Sequence, residues 1–301
     1  MADFDTLKGA LTDLTFNARN AMVLLAKYDD DPVLTIESPT TGDLEIPTEY
    51  ESVGHFEKKA GISIGMDVTS NDVEAYGELD PIRILLTKRE TSIEVSLYEH
   101  KKLVQEIVWS QNLDSITPTS HGGVVIEAEH APDTIFYRAI IVGRDRINNE
   151  YLYPFWLMPK VQLSKMSNVE LNDEGVLMYK PTLRALRDDT TGYAVAQGWC
   201  GPGWRRVIDK TGFAPPLTSI SATPAAPSIA ALATQQITVT DSNAIVRTPD
   251  CKYAVTTGGA FATVSAAGLV TGVAAGSATV TVTLKRVGAA DLTDTVAVTV
   301  T

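Results

Sequence analysis

The stretch ATVSAAGLVTGVAAGSATVTVT, residues 262–283, is made almost wholly of Ala, Val, Thr, Ser and Gly. Around it, TSISAT, QQITVT, YAVTT and LTDTVAVTVT read as further short strands. In the last of these, Val296, Val298 and Val300 alternate with Thr295, Thr299 and Thr301, the period-two pattern of a half-buried strand. Gly268, Gly272 and Gly276 punctuate the series as turn or bulge residues. Short strands at this spacing predict a small antiparallel sandwich over residues 217–301. That part has no His, Glu or Trp, so it lacks the converging groups that acid–base or metal chemistry requires.

Charge separates this segment from the rest. Residues 217–301 hold four acids and four bases, which leaves 33 acids against 21 bases in residues 1–216 of a chain of net charge -12. Phosphate binding depends on Lys and Arg, so conventional nucleic-acid binding is disfavoured. The composition changes at APPL, Ala214–Leu217, where consecutive prolines favour extended backbone and mark a hinge. Two domains are expected, 1–216 and 217–301. Cys200 and Cys251 show no ligand spacing and read as buried free thiols. No apolar run is long enough for a membrane helix, and the N-terminus has three Asp before residue 14 and no secretory pattern, which implies folding in a cytosol.

Strands also dominate residues 1–216. AGISIGMDV alternates Ile62, Ile64, Met66 and Val68 with small or polar residues, and TSIEVSLYE alternates Ile93, Val95 and Leu97 with Ser92, Glu94 and Ser96. GGVVIEAE (122–129) and TIFYRAIIVGRDRI (134–147) are strand-like too. Leu103, Val104, Ile107 and Val108 have helical spacing, which predicts an amphipathic helix over about 98–111. Residues 26–54 and 168–192 carry loop signals, the first with Pro32, Pro39 and Pro47.

Two resemblances emerge from these motifs. Ala262 with Val264, Gly268 with Val270, and Gly276 with Ala278 and Val280 resemble the signature of group 2 bacterial Ig-like domains. In the larger part, Tyr76, Gly77, Pro81, Ile82 and Arg83, then Ile93, Val95, Glu99 and the helix Leu103 to Val108, resemble the central region of major tail (tail tube) proteins of long-tailed bacteriophages. The late segments 144–164 and 179–199 look like two further strands of that fold. The fold class expected is therefore mainly β, a tail-tube β-sandwich with one flanking helix plus a C-terminal Ig-like sandwich.

The second resemblance implies a non-enzymatic virion subunit that forms stacked hexameric rings, a conduit for DNA ejection in a non-contractile tail, assembled in the host cytoplasm. It implies partners in further copies of itself and in tape measure, tail terminator and distal tail proteins, with an N-terminal arm and loops crossing between rings. It also implies transient, non-sticking passage of double-stranded DNA. The acidic balance suits that passage, because carboxylates lining a bore repel phosphates. Glu78, Asp80, Glu90 and Glu94, on or beside the expected hairpin, are the candidate lumen-facing acids. The Ig-like part would decorate the exterior and touch the host surface weakly. The rival reading is a bacterial surface adhesin or carbohydrate-binding protein.

Constellations that would indicate an enzyme are weak. His121 and His130 flank Glu127 and Glu129 without a known ligand spacing. WCGPGW holds Cys200 between two Trp with no nearby His and reads as a packed turn. The aromatics of YLYPFWLMPK lack the basic groove of a single-strand binder and read as core or interface. The Asp29–Asp31 run lacks calcium-loop spacing. No catalytic residue, cofactor or metal is expected.

Overall fold

A computed structural model describes residues 8–29, 31–130, 134–147, 149–171, 173, 175–286 and 289–301. Residues 1–7 of the expected N-terminal arm and Asp30 lie outside the described residues. The protein is mainly β. In residues 1–216 the strands are β1 (Asn20–Lys27), β2 (Glu51–Ser52), β3 (Ile62–Val73), β4 (Arg83–Val95), β5 (Tyr137–Ile147), β6 (Glu150–Met166), β7 (Pro181–Ala185) and β8 (Ala196–Cys200). They form one antiparallel sheet in the order β2-β1-β5-β6-β7-β4-β3, with β8 added to β6.

A helix at Lys102–Trp109 lays Leu103, Val104 and Ile107 on the sheet. Its apolar residues join Val23 and Leu25 of β1, Ile93 and Val95 of β4, Ile141 of β5, Met158 of β6 and Leu183 of β7 in one core, with Ile62 and Ile64 of β3 packed against it. Strands from both ends of the sheet order share this core, so the sheet curls around it and the helix closes one side. The opposite faces of β1, β5 and β6 bury Leu24, Ile140, Val142, Phe155 and Leu157 in a second core with Cys200. Burial on both faces explains the unbroken apolar runs of β1 and β5, where alternation is lost.

Residues 122–129, expected as a strand, form none. The Gln111 side chain takes the place of a neighbouring strand, donating to Glu127 O at 2.9 Å and accepting from Glu129 N at 3.2 Å. The amide side chain satisfies one carbonyl and one N–H of the segment without a ladder. The long loop 28–50 is pinned by buried Arg138, whose guanidinium pairs with Asp29 at 2.8 Å, bonds Asp31 O and lies over the Tyr50 ring.

From residue 217 onward the chain has its own core, Leu217 through Val300, built by β9 (Ile220–Thr223), β10 (Ser228–Ile229), β11 (Thr234–Gln236), β12 (Thr238–Asp241), β13 (Cys251–Thr257), β14 (Ala262–Val264), β15 (Leu269–Gly272), β16 (Gly276–Leu284) and β17 (Leu292–Val300). Alternation is strict in β16, which buries Ala278, Val280, Val282 and Leu284. The sandwich is not purely antiparallel, because β10 pairs parallel to β17. Gly268 turns the chain at φ +79°, and a Cβ there would meet the Tyr253 ring at 2.8 Å.

At the expected hinge, polar side chains bridge the two parts. Arg205, 6% exposed, bonds Asp250 from Nε at 3.2 Å and Gly42 O from Nη1 at 2.8 Å. Arg247, 1% exposed, donates to Asp241 at 2.6 Å and to the Arg205 carbonyl. Asn243 Nδ2 bonds Pro215 O at 2.8 Å, and Arg286 Nη1 bonds Leu217 O at 3.0 Å. The prolines set an extended backbone, and ion pairs of Arg205 and Arg247 lie beside it.

Candidate assembly surface

β3 and β4 pair along their whole length, yet β4 meets β7 only between Thr91 and Glu94, and β3 has no other strand neighbour among the described residues. From Met66 to Arg89 the two strands therefore project as a free ribbon closed by the tip 74–82. A two-stranded ribbon without a covered face is marginal in water, and its open edge is a template for pairing.

The ribbon is two-faced. Ile62, Ile64, Ile93 and Val95 point into the core, and continuing the alternation brings Met66 and Val68 to the same side. A bulge opposite Thr69 and Ser70 inserts Thr87, which shifts β4 by one residue and returns Leu86 and Ile84 to that side. Met66, Val68, Ile84 and Leu86 are 56%, 52%, 62% and 76% exposed. Without the bulge Leu86 and Ile84 would face the polar side. In the tip, Tyr76 and Leu79 are fully exposed.

The other face is polar. It carries Ser63, Gly65 and Asp67 of β3, Glu94, Ser92 and Glu90 of β4, and Thr182 and Arg184 of β7. Of the four candidate lumen acids, the structure places Glu90 and Glu94 on this face and Glu78 and Asp80 in the tip. Glu90 is paired with Lys88 at 2.6 Å and with Arg184, so its charge is locally offset. Asp67, directly opposite Glu90, joins the face and was missed in the sequence; the hairpin register is the signal that exposes it. The face mixes both signs of charge.

Glu99 and the two cysteines are tied into the fold. Glu99 accepts from the backbone N–H of His55 at 2.7 Å, contacts its Nδ1 at 2.6 Å and pairs with Lys101 at 3.2 Å, interactions that hold its carboxyl down at about 2. Burial pushes the thiols of Cys200 and Cys251 up to about 12, and both are unpaired. Trp199 and Trp204 stack at 5.2 Å around the turn that carries Cys200. Among the described residues, no cluster of His, Cys, Asp and Glu is arranged to hold a metal ion, and no helix is long and apolar enough to cross a membrane.

Residues 216–296 match the family model of the bacterial Ig-like domain (group 2). The C-terminal sandwich is thus Ig-like in sequence as well as in architecture. Comparison with curated proteins finds no match. Among solved structures, a chain in the cryo-EM structure of the anti-feeding prophage (AFP) baseplate, 6-fold symmetrised, is similar at 11% identity and a TM-score of 0.32, over 60% of this chain and 91% of that one.

Proposed function

We propose that this protein is a structural subunit of a phage tail-type tube, non-enzymatic, which assembles by its β3–β4 ribbon into stacked rings and carries its Ig-like part on the outside. The observation that carries the reading is the ribbon itself: Met66, Val68, Ile84 and Leu86 form a solvent-exposed apolar patch on the side that continues from the core, beside Asp72 and Arg89. A soluble chain keeps such a face where another subunit covers it. The resemblance of Tyr76–Arg83 and Ile93–Val108 to tail tube proteins supports the same conclusion, because those residues build the ribbon's tip, its second strand and the helix beneath it. On this reading the rings are hexameric, the particle is the virion tail, and the partners are further copies and the proteins at the tube's ends and interior.

The polar face of β3, β4 and β7 is the surface available to line a bore, with Glu94 and Asp67 as its unpaired acids among the described residues. DNA would slide past carboxylates without sticking. A map of the assembled tube with a bore lined by Lys and Arg would end that part of the proposal.

Negative-stain electron microscopy of the purified protein across a concentration series tests the main reading. Six-fold rings or hollow tubes with external knobs are the expected result. Uniform monomers at every concentration, also when the end proteins of a tail are added, would overturn it and favour the adhesin.

A further inference from the structure

We infer that the acidic tip of the β3–β4 ribbon of one copy seats in a basic-rimmed cleft between β1 and β3 of a second copy, a contact that rests on the self-assembly proposed above and specifies its surfaces. The cleft measures 820 Å³ and is floored by Ile141 and Trp156. Its walls are two open strand edges: β1 meets β2 only at Leu24 and Leu25, which leaves Asn20–Met22 without a strand neighbour on that side, and β3 is unpaired beyond β4. Backbone donors and acceptors on both walls can therefore take an added strand.

Charge identifies the occupant. Residues 66–86 carry five acids, Asp67, Asp72, Glu74, Glu78 and Asp80, against Arg83 alone. No ion pair engages these acids among the described residues. The cleft lining carries Arg19, Lys58 and Lys101 against one acid, Glu99, which pairs with Lys101, and neither Arg19 nor Lys58 has a carboxylate partner among the described residues. The apolar side chains of the ribbon match the apolar floor.

The ribbon cannot reach its own cleft. The eleven residues from Ile62, on the cleft wall, to Val73, at about 3.3 Å each, carry the end of β3 roughly 36 Å away from the cleft. Two tips meeting each other would set like charges together. A tip in a cleft is a head-to-tail contact, which closes into a ring or propagates as a helix.

Cysteine trapping reads this contact directly. Leu79→Cys in the tip and Lys59→Cys beside the rim both sit at exposed positions and leave Arg19 and Lys58 in place, and the native Cys200 and Cys251 are buried. Mixing the two variants under mild oxidation should give a covalent dimer at least about tenfold above either variant alone, because seated sites face each other at millimolar effective concentration. Cross-linking of Leu79→Cys with itself to the same extent would establish a tip-to-tip contact and overturn the proposal, as would no cross-link at any concentration. Glu78→Lys with Asp80→Lys should abolish the trapped dimer, and Arg19→Glu on the partner variant should restore part of it; no change in either would also overturn the contact. Hollow tubes without the tip-to-cleft cross-link would sink this inference and leave the tube reading standing. Cross-linked chains that never form tubes would do the reverse.

Discussion

Glu99 ties its own segment to residues 52–55, directly through His55 and, through Lys101, by the carbonyl of Ser52 at 3.0 Å. Its folded-state carboxyl lies at about 2, below the ordinary 4.5, chiefly because the His55 backbone N–H bonds the charged form. A depressed acid stabilises the fold above its unfolded value, and that contribution is lost as pH falls through the folded one. Denaturant titrations of wild type and Glu99→Gln should therefore differ at pH 7, still differ at pH 5, and converge between about 4.5 and about 2. The thiols give a second check. With Cys200 and Cys251 held up to about 12 by burial, a thiol reagent at pH 8 should label neither in the native protein and both after unfolding. The burial of both cysteines was legible from their lack of ligand spacing. The Arg184–Glu90 pair was not, because β7 and β4 lie 94 positions apart at these residues and only their register brings them together.

At the scale of elements, the same strand answers to two environments. Leu183, 1% exposed on β7, packs where β4 is covered, and Leu183→Ala should cost about 2–5 kcal/mol in chemical denaturation. Ile84, farther out on β4, touches no core, and Ile84→Ala should change monomer stability by less than about 0.5 kcal/mol while weakening assembly in sedimentation runs. Period-two patterning revealed β3, the inner half of β4 and every long strand of the sandwich, because each has one buried face. It could not reveal that the ribbon outruns its sheet, since Met66 and Val68 read as core in sequence and find no cover within the chain. It also credited residues 122–129 with a strand, where β-branched residues lie on a surface tied down by Thr119 and Gln111. The helix was clear from its spacing, although its regular part is limited to Lys102–Trp109 by the left-handed Ser110 at φ 51°.

For the whole molecule, the decisive feature is the joint. Burial pushes the Asp250 carboxyl up, and Arg205 and Arg247 oppose that shift. Asp250→Ala would leave two buried guanidiniums without their shared partner and should cost about 3–5 kcal/mol, read as a lower melting temperature in calorimetry. Removing residues 217–301 strips the same partner from Arg205, so a truncated chain should be less stable than the intact larger part. The sequence located the change in composition at Ala214–Leu217, but Pro-Pro says nothing about the Gly42 carbonyl and the Arg205 and Asp250 side chains that converge beside it. If copies assemble as proposed, Arg205, which bonds both the Gly42 loop and Asp250 of the Ig-like sandwich, sets every sandwich alike, and weak contacts that such sandwiches made with a surface would repeat at a fixed spacing, holding as a group what none of them holds alone.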